Sequence, residues 1–192
     1  MTAIIKYNAG NIMSVQNALE RLGQKSIVSD DPCIIESADK VIFPGVGEAS
    51  SALRYLKERG LDTTIKNLKQ PVLGICLGMQ LMCTYSEEGK TKCLGIFNTK
   101  VKRFPAKDIV PHMGWNNFIY MKGDLFKNVK PYDNVYYVHS YYAQLCEQTN
   151  AVCKYILPFS SALQSKNFFG TQFHPEKSAG IGNIVLQNFM KL

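Results

Sequence analysis

The chain has 192 residues, 46% of them hydrophobic and 19% charged, with a formal net charge of +7. That length points to one domain over 1-192, large enough to bury a core without disulfide staples. The composition excludes a disordered polypeptide. No apolar run approaches the roughly 20 residues of a transmembrane helix, so no membrane partner is expected. The opening M-T-A-I-I-K-Y lacks the segments of a signal peptide, and a cytoplasmic location follows. The basic residues are scattered, with no run longer than Lys102-Arg103. Without a basic stripe or interleaved aromatics, nucleic acid is not an expected partner. A basic patch for a partner subunit or a phosphorylated substrate stays open.

In chain order, Ala3 to Tyr7 predicts a first strand and Asn8 to Asn11 the turn after it. Asn11 is placed as the N-cap of a helix with apolar residues at Ile12, Val15, Ala18, Leu19 and Leu22, closed by Gly23. Ser26 to Val28 is a second strand, ended by Asp30-Asp31-Pro32, and Lys40 to Phe43 a third, followed by the turn Pro44-Gly45-Val46-Gly47. Helices are predicted over about Glu48 to Arg59 and Leu61 to Leu68, and then a buried strand from Val72 to Ile75. Strands alternating with helices imply an α/β domain with a mainly parallel sheet, whose ligands bind beyond the carboxyl ends of the strands. From Cys93 to Leu163 the pattern changes to short, often alternating apolar runs (Lys100 to Phe104, Asn117 to Met121, Val135 to Val138, Ala151 to Leu157) punctuated by prolines. These predict an added antiparallel strand region on the same domain. A late strand over Asn167 to Phe173 and a helix over Ala179 to Leu192 complete the chain.

The stretch Gln70 to Leu81, Q-P-V-L-G-I-C-L-G-M-Q-L, carries the clearest chemical signal. Gly74 and Gly78 flank Cys76 in a G-x-C-x-G pentapeptide, the cysteine counterpart of a nucleophile elbow. The turn would aim the thiol away from the sheet at the start of a helix, where the dipole favours thiolate. A structural cysteine buried in a tight βα turn fits the same residues. The other cysteines, at 33, 83, 93, 146 and 153, form no CxxC pair and have no metal-ligand spacing, so reduced thiols and no metal or cofactor are expected.

A nucleophilic cysteine needs a base, and the base needs an orienting group. Three histidines are available: His112, His139 and His174. Each alone reads equally as a hydrogen-bonded structural residue. Only His174 has a carboxylate close by, Glu176, two residues on past Pro175. The spacing therefore assembles Cys76, His174 and Glu176 as nucleophile, base and orienter.

Together, G-I-C-L-G-M-Q (74 to 80), P-G-V-G (44 to 47) and Q-F-H-P-E (172 to 176) resemble the class I, triad-type glutamine amidotransferases. Longer matches at 7 to 15, 111 to 116, 138 to 142 and 174 to 178 are similar to the branch of glutaminase subunits in histidine biosynthesis. The resemblance implies hydrolysis of L-glutamine through a thioester on Cys76, with His174 as base and then acid, and no cofactor. It implies oxyanion donors at Leu77 and around Val46 and Gly47. It also implies that Gln80, Glu88, Ser140 and Tyr141 hold the α-amino and α-carboxylate groups of glutamine. In that branch the subunit forms a heterodimer with a (β/α)8 cyclase, which uses the ammonia to make imidazole glycerol phosphate and an aminoimidazole ribonucleotide. Trp115, Tyr136 and Lys177 match positions of that interface. The opening K-Y-N-A-G-N departs from the branch's pattern. Related subunits serve sugar modification in surface polysaccharides, and a non-catalytic interaction protein or a cysteine peptidase would be further readings.

Overall fold

A computed structural model describes residues 1–7 and 11–192. Of the turn expected over Asn8 to Asn11, only Asn11 falls among the described residues. Four strands open the chain: β1 (Thr2–Ile5), β2 (Ser26–Ser29), β3 (Lys40–Phe43) and β4 (Val72–Ile75). Helices α1 (Ile12–Arg21), α2 (Pro32–Ser37), α3 (Ala49–Glu58) and α4 (Leu61–Asn67) connect them, and α5 (Leu77–Leu81) starts directly after β4. Ten further strands follow: β5 (Tyr85–Ser86), β6 (Thr91–Lys92), β7 (Lys100–Arg103), β8 (His112–Asn116), β9 (Tyr120–Met121), β10 (Val135–His139), β11 (Tyr141–Ala143), β12 (Thr149–Lys154), β13 (Pro158–Ser165) and β14 (Phe168–Thr171). Helix α6 (Ala179–Met190) ends the chain.

The main sheet has the order β2-β1-β3-β4-β14-β13-β12-β9. It is parallel from β2 through β14 and antiparallel beyond. Successive side chains of its parallel strands point to opposite faces, which splits the core in two. Ala3, Ile5, Val41 and Phe43 pack with Leu53, Leu56, Leu61 and Ile65 of α3 and α4. Ile4, Ile42 and Leu73 pack with Val15 and Leu19 of α1 and with Val185 and Phe189 of α6. Both faces are covered, as a parallel sheet requires. The carboxyl ends of β1, β3, β4 and β14 consequently converge on one edge, at Tyr7, Pro44, Cys76 and Gln172.

Three local features differ from the sequence expectation. The segment after β2 forms α2, because the Asp31 side chain accepts the Cys33 N–H and Pro32 stands at the first helical turn. Asn11 precedes α1 but sits at φ 75° without capping it; its amide is turned to the Glu176 carboxylate instead. His112 to Asn116, where no strand is predicted, form β8, which pairs with β10 as a two-stranded ribbon, while the strand expected over 117–121 shrinks to β9.

Candidate active site

At the end of β4 the chain turns so sharply that Cys76 takes φ 52°, ψ −106°. A non-glycine residue held there stores roughly 1–3 kcal/mol of strain and persists only where its surroundings over-determine it. Here Ile75 is in register with Thr171, and the Cys76 N–H donates to the Thr171 carbonyl at 2.7 Å. The glycines on either side are required by packing. A Cβ on Gly78 would lie 1.9 Å from the Phe43 carbonyl oxygen, and one on Gly74 would lie 2.8 Å from the Met79 nitrogen. Helix α5 spans five residues. Its dipole is that of little more than one turn, weaker than the expected helix would supply.

Neighbouring strand β14 delivers His174 to the same edge. Pro175 opens a short 3-10 turn, Pro175–Lys177, that brings Glu176 back against the ring. His174 Nδ1 lies 2.7 Å from Glu176 Oε1, and both side chains are buried. A carboxylate only accepts, so Nδ1 carries a proton toward Glu176, and Nε2 is the ring nitrogen left to exchange a proton with the thiol. Nε2 has no hydrogen-bond partner among the described residues. Burial disfavours the imidazolium, but the Cys76 sulfur and the Glu176 carboxylate outweigh that and raise the pKa of His174 above the ordinary imidazole value. Asn11 donates to the same Glu176 oxygen, so a third element fixes the orienting carboxylate.

Cys76 opens onto a cleft of about 330 Å³ lined by Val46, Gly47, Leu77, Gln80, Glu88, Ser140 and Tyr141, together with Pro111, Val138 and His139. Every residue expected to bind substrate is therefore on its wall. Glu88 is half-buried, and Oε2 accepts the Ala49 N–H at 2.9 Å. Burial raises its pKa against that hydrogen bond, with Glu48 adding to the rise. Gln80 donates through Nε2 to the Tyr141 carbonyl at 2.9 Å and to Gln172 Oε1 at 2.8 Å. Its Oε1 has no protein partner among the described residues.

The expected oxyanion donor at Leu77 is engaged. Its N–H donates to the Gly45 carbonyl at 3.3 Å, and Tyr7 holds the preceding Pro44 carbonyl through its hydroxyl. The glycine at 78 permits the turn, and the Gly45 carbonyl of the segment 44–47 accepts from the donor that the turn presents. Gly47 sits at φ 119°, a conformation open only to glycine.

His112 and His139, the two histidines set aside as bases, form a buried pair, with Nδ1 of the first 3.1 Å from Nε2 of the second. Burial lowers their pKa values to about 4 and about 3. Both are neutral at pH 7, and they brace β8 against β10.

The sequence matches the family described as Glutamine amidotransferase class-I over residues 4–192. The chain belongs to that family. The imidazole glycerol phosphate synthase subunit HisH of Bacteroides fragilis is 58% identical over 193 aligned residues, covering 99% of this chain and 98% of the relative. The protein of the same name from Vibrio parahaemolyticus is 43% identical, with 98% and 97% covered. Among solved structures, a chain of PurLQS from Thermotoga maritima superposes with a TM-score of 0.70 at 17% identity, covering 99% of this chain and 97% of that one. That likeness speaks for the fold.

In this amidotransferase the residues expected at a partner interface lie on the β8–β10 ribbon and on the 3-10 turn after His174. Trp115 on β8 and Tyr136 on β10 are in register, with ring centroids 6.0 Å apart, and Trp115 is 55% exposed. Exposed Met113 shares their outward face, and Lys177 is exposed on the 3-10 turn that carries Glu176. Sequence reasoning missed Met113, Asn11 as a partner of Glu176, and Gln172, whose Nε2 lies 3.5 Å from Cys76 Sγ. The motif Q-F-H-P-E contains Gln172, but its residue type alone does not say where the amide points. Among the described residues, no three His, Cys, Asp or Glu side chains are grouped to hold a metal ion, and no helix is long and apolar enough to cross a membrane.

Proposed function

We propose that the chain is the glutaminase subunit of an imidazole glycerol phosphate synthase, with Cys76, His174 and Glu176 as its catalytic residues. The observation that carries this reading is the arrangement of these three side chains behind a cleft whose other walls include Glu88 and Gln80. A carboxylate and an amide oxygen suit the α-ammonium of glutamine, which places the side-chain amide at Cys76. His174 Nε2 takes the thiol proton as Sγ attacks the amide carbon. The same nitrogen returns the proton to the departing amine, so that ammonia leaves and a γ-glutamyl thioester remains. Water, deprotonated by His174, then displaces the thiolate and yields glutamate. Glu176 keeps the ring in the required tautomer throughout.

The tetrahedral intermediate needs the Leu77 N–H, worth about 2.7–4 kcal/mol to an oxyanion. That donor becomes available when the segment 44–47 withdraws the Gly45 carbonyl. We assign the trigger to a (β/α)8 cyclase subunit, bound as a heterodimer on the face formed by Met113, Trp115, Tyr136 and Lys177. Two contacts support this route. The Tyr136 carbonyl accepts the His174 N–H at 2.9 Å, and Val138, on the same strand as Tyr136, lines the cleft at Cys76. The test is glutamate release by the chain alone and with the cyclase and its nucleotide ligand. Strong acceleration by the liganded partner is expected, and equal rates would contradict the coupling.

A further inference from the structure

Two backbone-anchored amides determine what faces the nucleophile. The Tyr141 carbonyl accepts from His139 Nδ1 at 2.7 Å and from Gln80 Nε2 at 2.9 Å. A carbonyl can only accept, so it settles which end of the Gln80 amide is nitrogen. That nitrogen also donates to Gln172 Oε1 at 2.8 Å, which settles the Gln172 amide in turn. Gln172 Nε2 is thereby directed at Cys76 Sγ, 3.5 Å away. The two residues are 4% and 0% exposed, so water does not compete for these bonds. The sulfur also neighbours the His174 ring and lies 4.0 Å from the Val138 carbonyl, an acceptor.

We propose that Gln172 is a positioning residue for the nucleophile: its amide N–H holds the Cys76 sulfur on the substrate side of the elbow and favours the thiolate, with Gln80 locking the amide in that orientation. Its use in catalysis rests on the glutaminase reading. An N–H donor stabilises an anionic sulfur more than a neutral thiol, because bonds to charged groups are the stronger ones. The site needs such a donor, since α5 is short and the Leu77 N–H is engaged by Gly45. Gln172 and His174 follow β14 two residues apart, so one short segment brings both the donor and the base to Cys76. The relay also has an outer end. Gln80 lines the cleft, and an ammonium bound at its Oε1 would polarise both amides toward the sulfur.

The test follows alkylation of Cys76 by iodoacetamide across the neutral pH range, with the Cys76 peptide quantified by mass spectrometry so that exposed Cys33 does not contribute. In Gln172→Met, a side chain of similar length without the donor, the pH–rate profile should move to the alkaline side. Alkylation at pH 7 should fall about three- to tenfold. Glutamine turnover should lose kcat with KM nearly kept. Gln80→Leu should shift the profile in the same direction by less, because the Gln172 amide is then free to rotate. A Gln172→Met profile superimposed on that of the unaltered chain overturns the proposal. Should that variant fail to fold, the unaltered chain labelled with 15N-glutamine decides. The Gln172 side-chain amide resonance should shift on alkylation of Cys76, and an insensitive resonance would contradict the contact. A shifted alkylation profile in a chain that does not hydrolyse glutamine even with the cyclase and its nucleotide ligand present would support the role of Gln172 and reject the glutaminase reading.

Discussion

Cys76 occupies a backbone conformation that few residues tolerate, and its neighbours show why the chain accepts it. Gly78 lies against the Phe43 carbonyl, so Gly78→Ala places a methyl group where there is no space. Overpacking of this kind typically costs about 1–3 kcal/mol. The expected result is a lower Tm together with loss of turnover, as the elbow opens to relieve the clash. Glu176 acts through orientation and charge. Glu176→Gln keeps its size but removes the negative charge beside the ring, and kcat should fall about 10²–10⁴-fold with little change in Tm. These residues were legible in the sequence because their chemistry is local: glycines two places either side of a cysteine, and a carboxylate two places after a histidine. Gln172 and Asn11 were not. Their roles depend on which way an amide faces, and that is set by partners 92 and 165 residues away in sequence.

At the scale of elements, the parallel half of the molecule was readable and the ribbon was not. Strands β1, β3 and β4 are continuous apolar runs bounded by turn residues, the signature of strands buried on both faces. Strand β8 contains Gly114 at φ 135° and follows Pro111, so its residues signal a loop; pairing with β10 and packing of His112 against Tyr137 and Tyr155 make it a strand. That ribbon links an exposed aromatic face to the cleft. Trp115→Ala should leave Tm almost unchanged, since the ring is largely solvent-exposed. It should weaken binding of the cyclase by about 2 kcal/mol or more, measured by calorimetric titration. Unchanged affinity would place the partner elsewhere.

For the molecule as a whole, the buried histidines set the response to acid. His112 and His139 stay neutral in the folded state, with pKa values lowered to about 4 and about 3 by burial, whereas in the unfolded chain they take protons below about pH 6.5. Their contribution to stability is complete above that value and is lost as pH falls toward the folded values. His174 has the opposite sign. Its folded value is raised, so its contribution is full below about pH 6.5 and is lost as pH rises through the folded value. Tm should therefore drop on acidification from neutral pH, and His139→Gln should flatten that fall. The mainly parallel sheet and the family were legible because they follow from period and motif. The engagement of Leu77 by Gly45 was not, since it depends on how two separate strand ends meet.

Whether Cys76 carries the γ-glutamyl group is tested most directly by acid-quenching the chain during turnover of isotopically labelled glutamine, with the cyclase and its nucleotide ligand present. Label should appear on the Cys76 peptide, and a Cys76→Ala variant should take up none and turn over about 10⁴-fold more slowly or less. Glutamate release by Cys76→Ala at the rate of the unaltered chain, or label recovered on another residue, would contradict a thioester at Cys76.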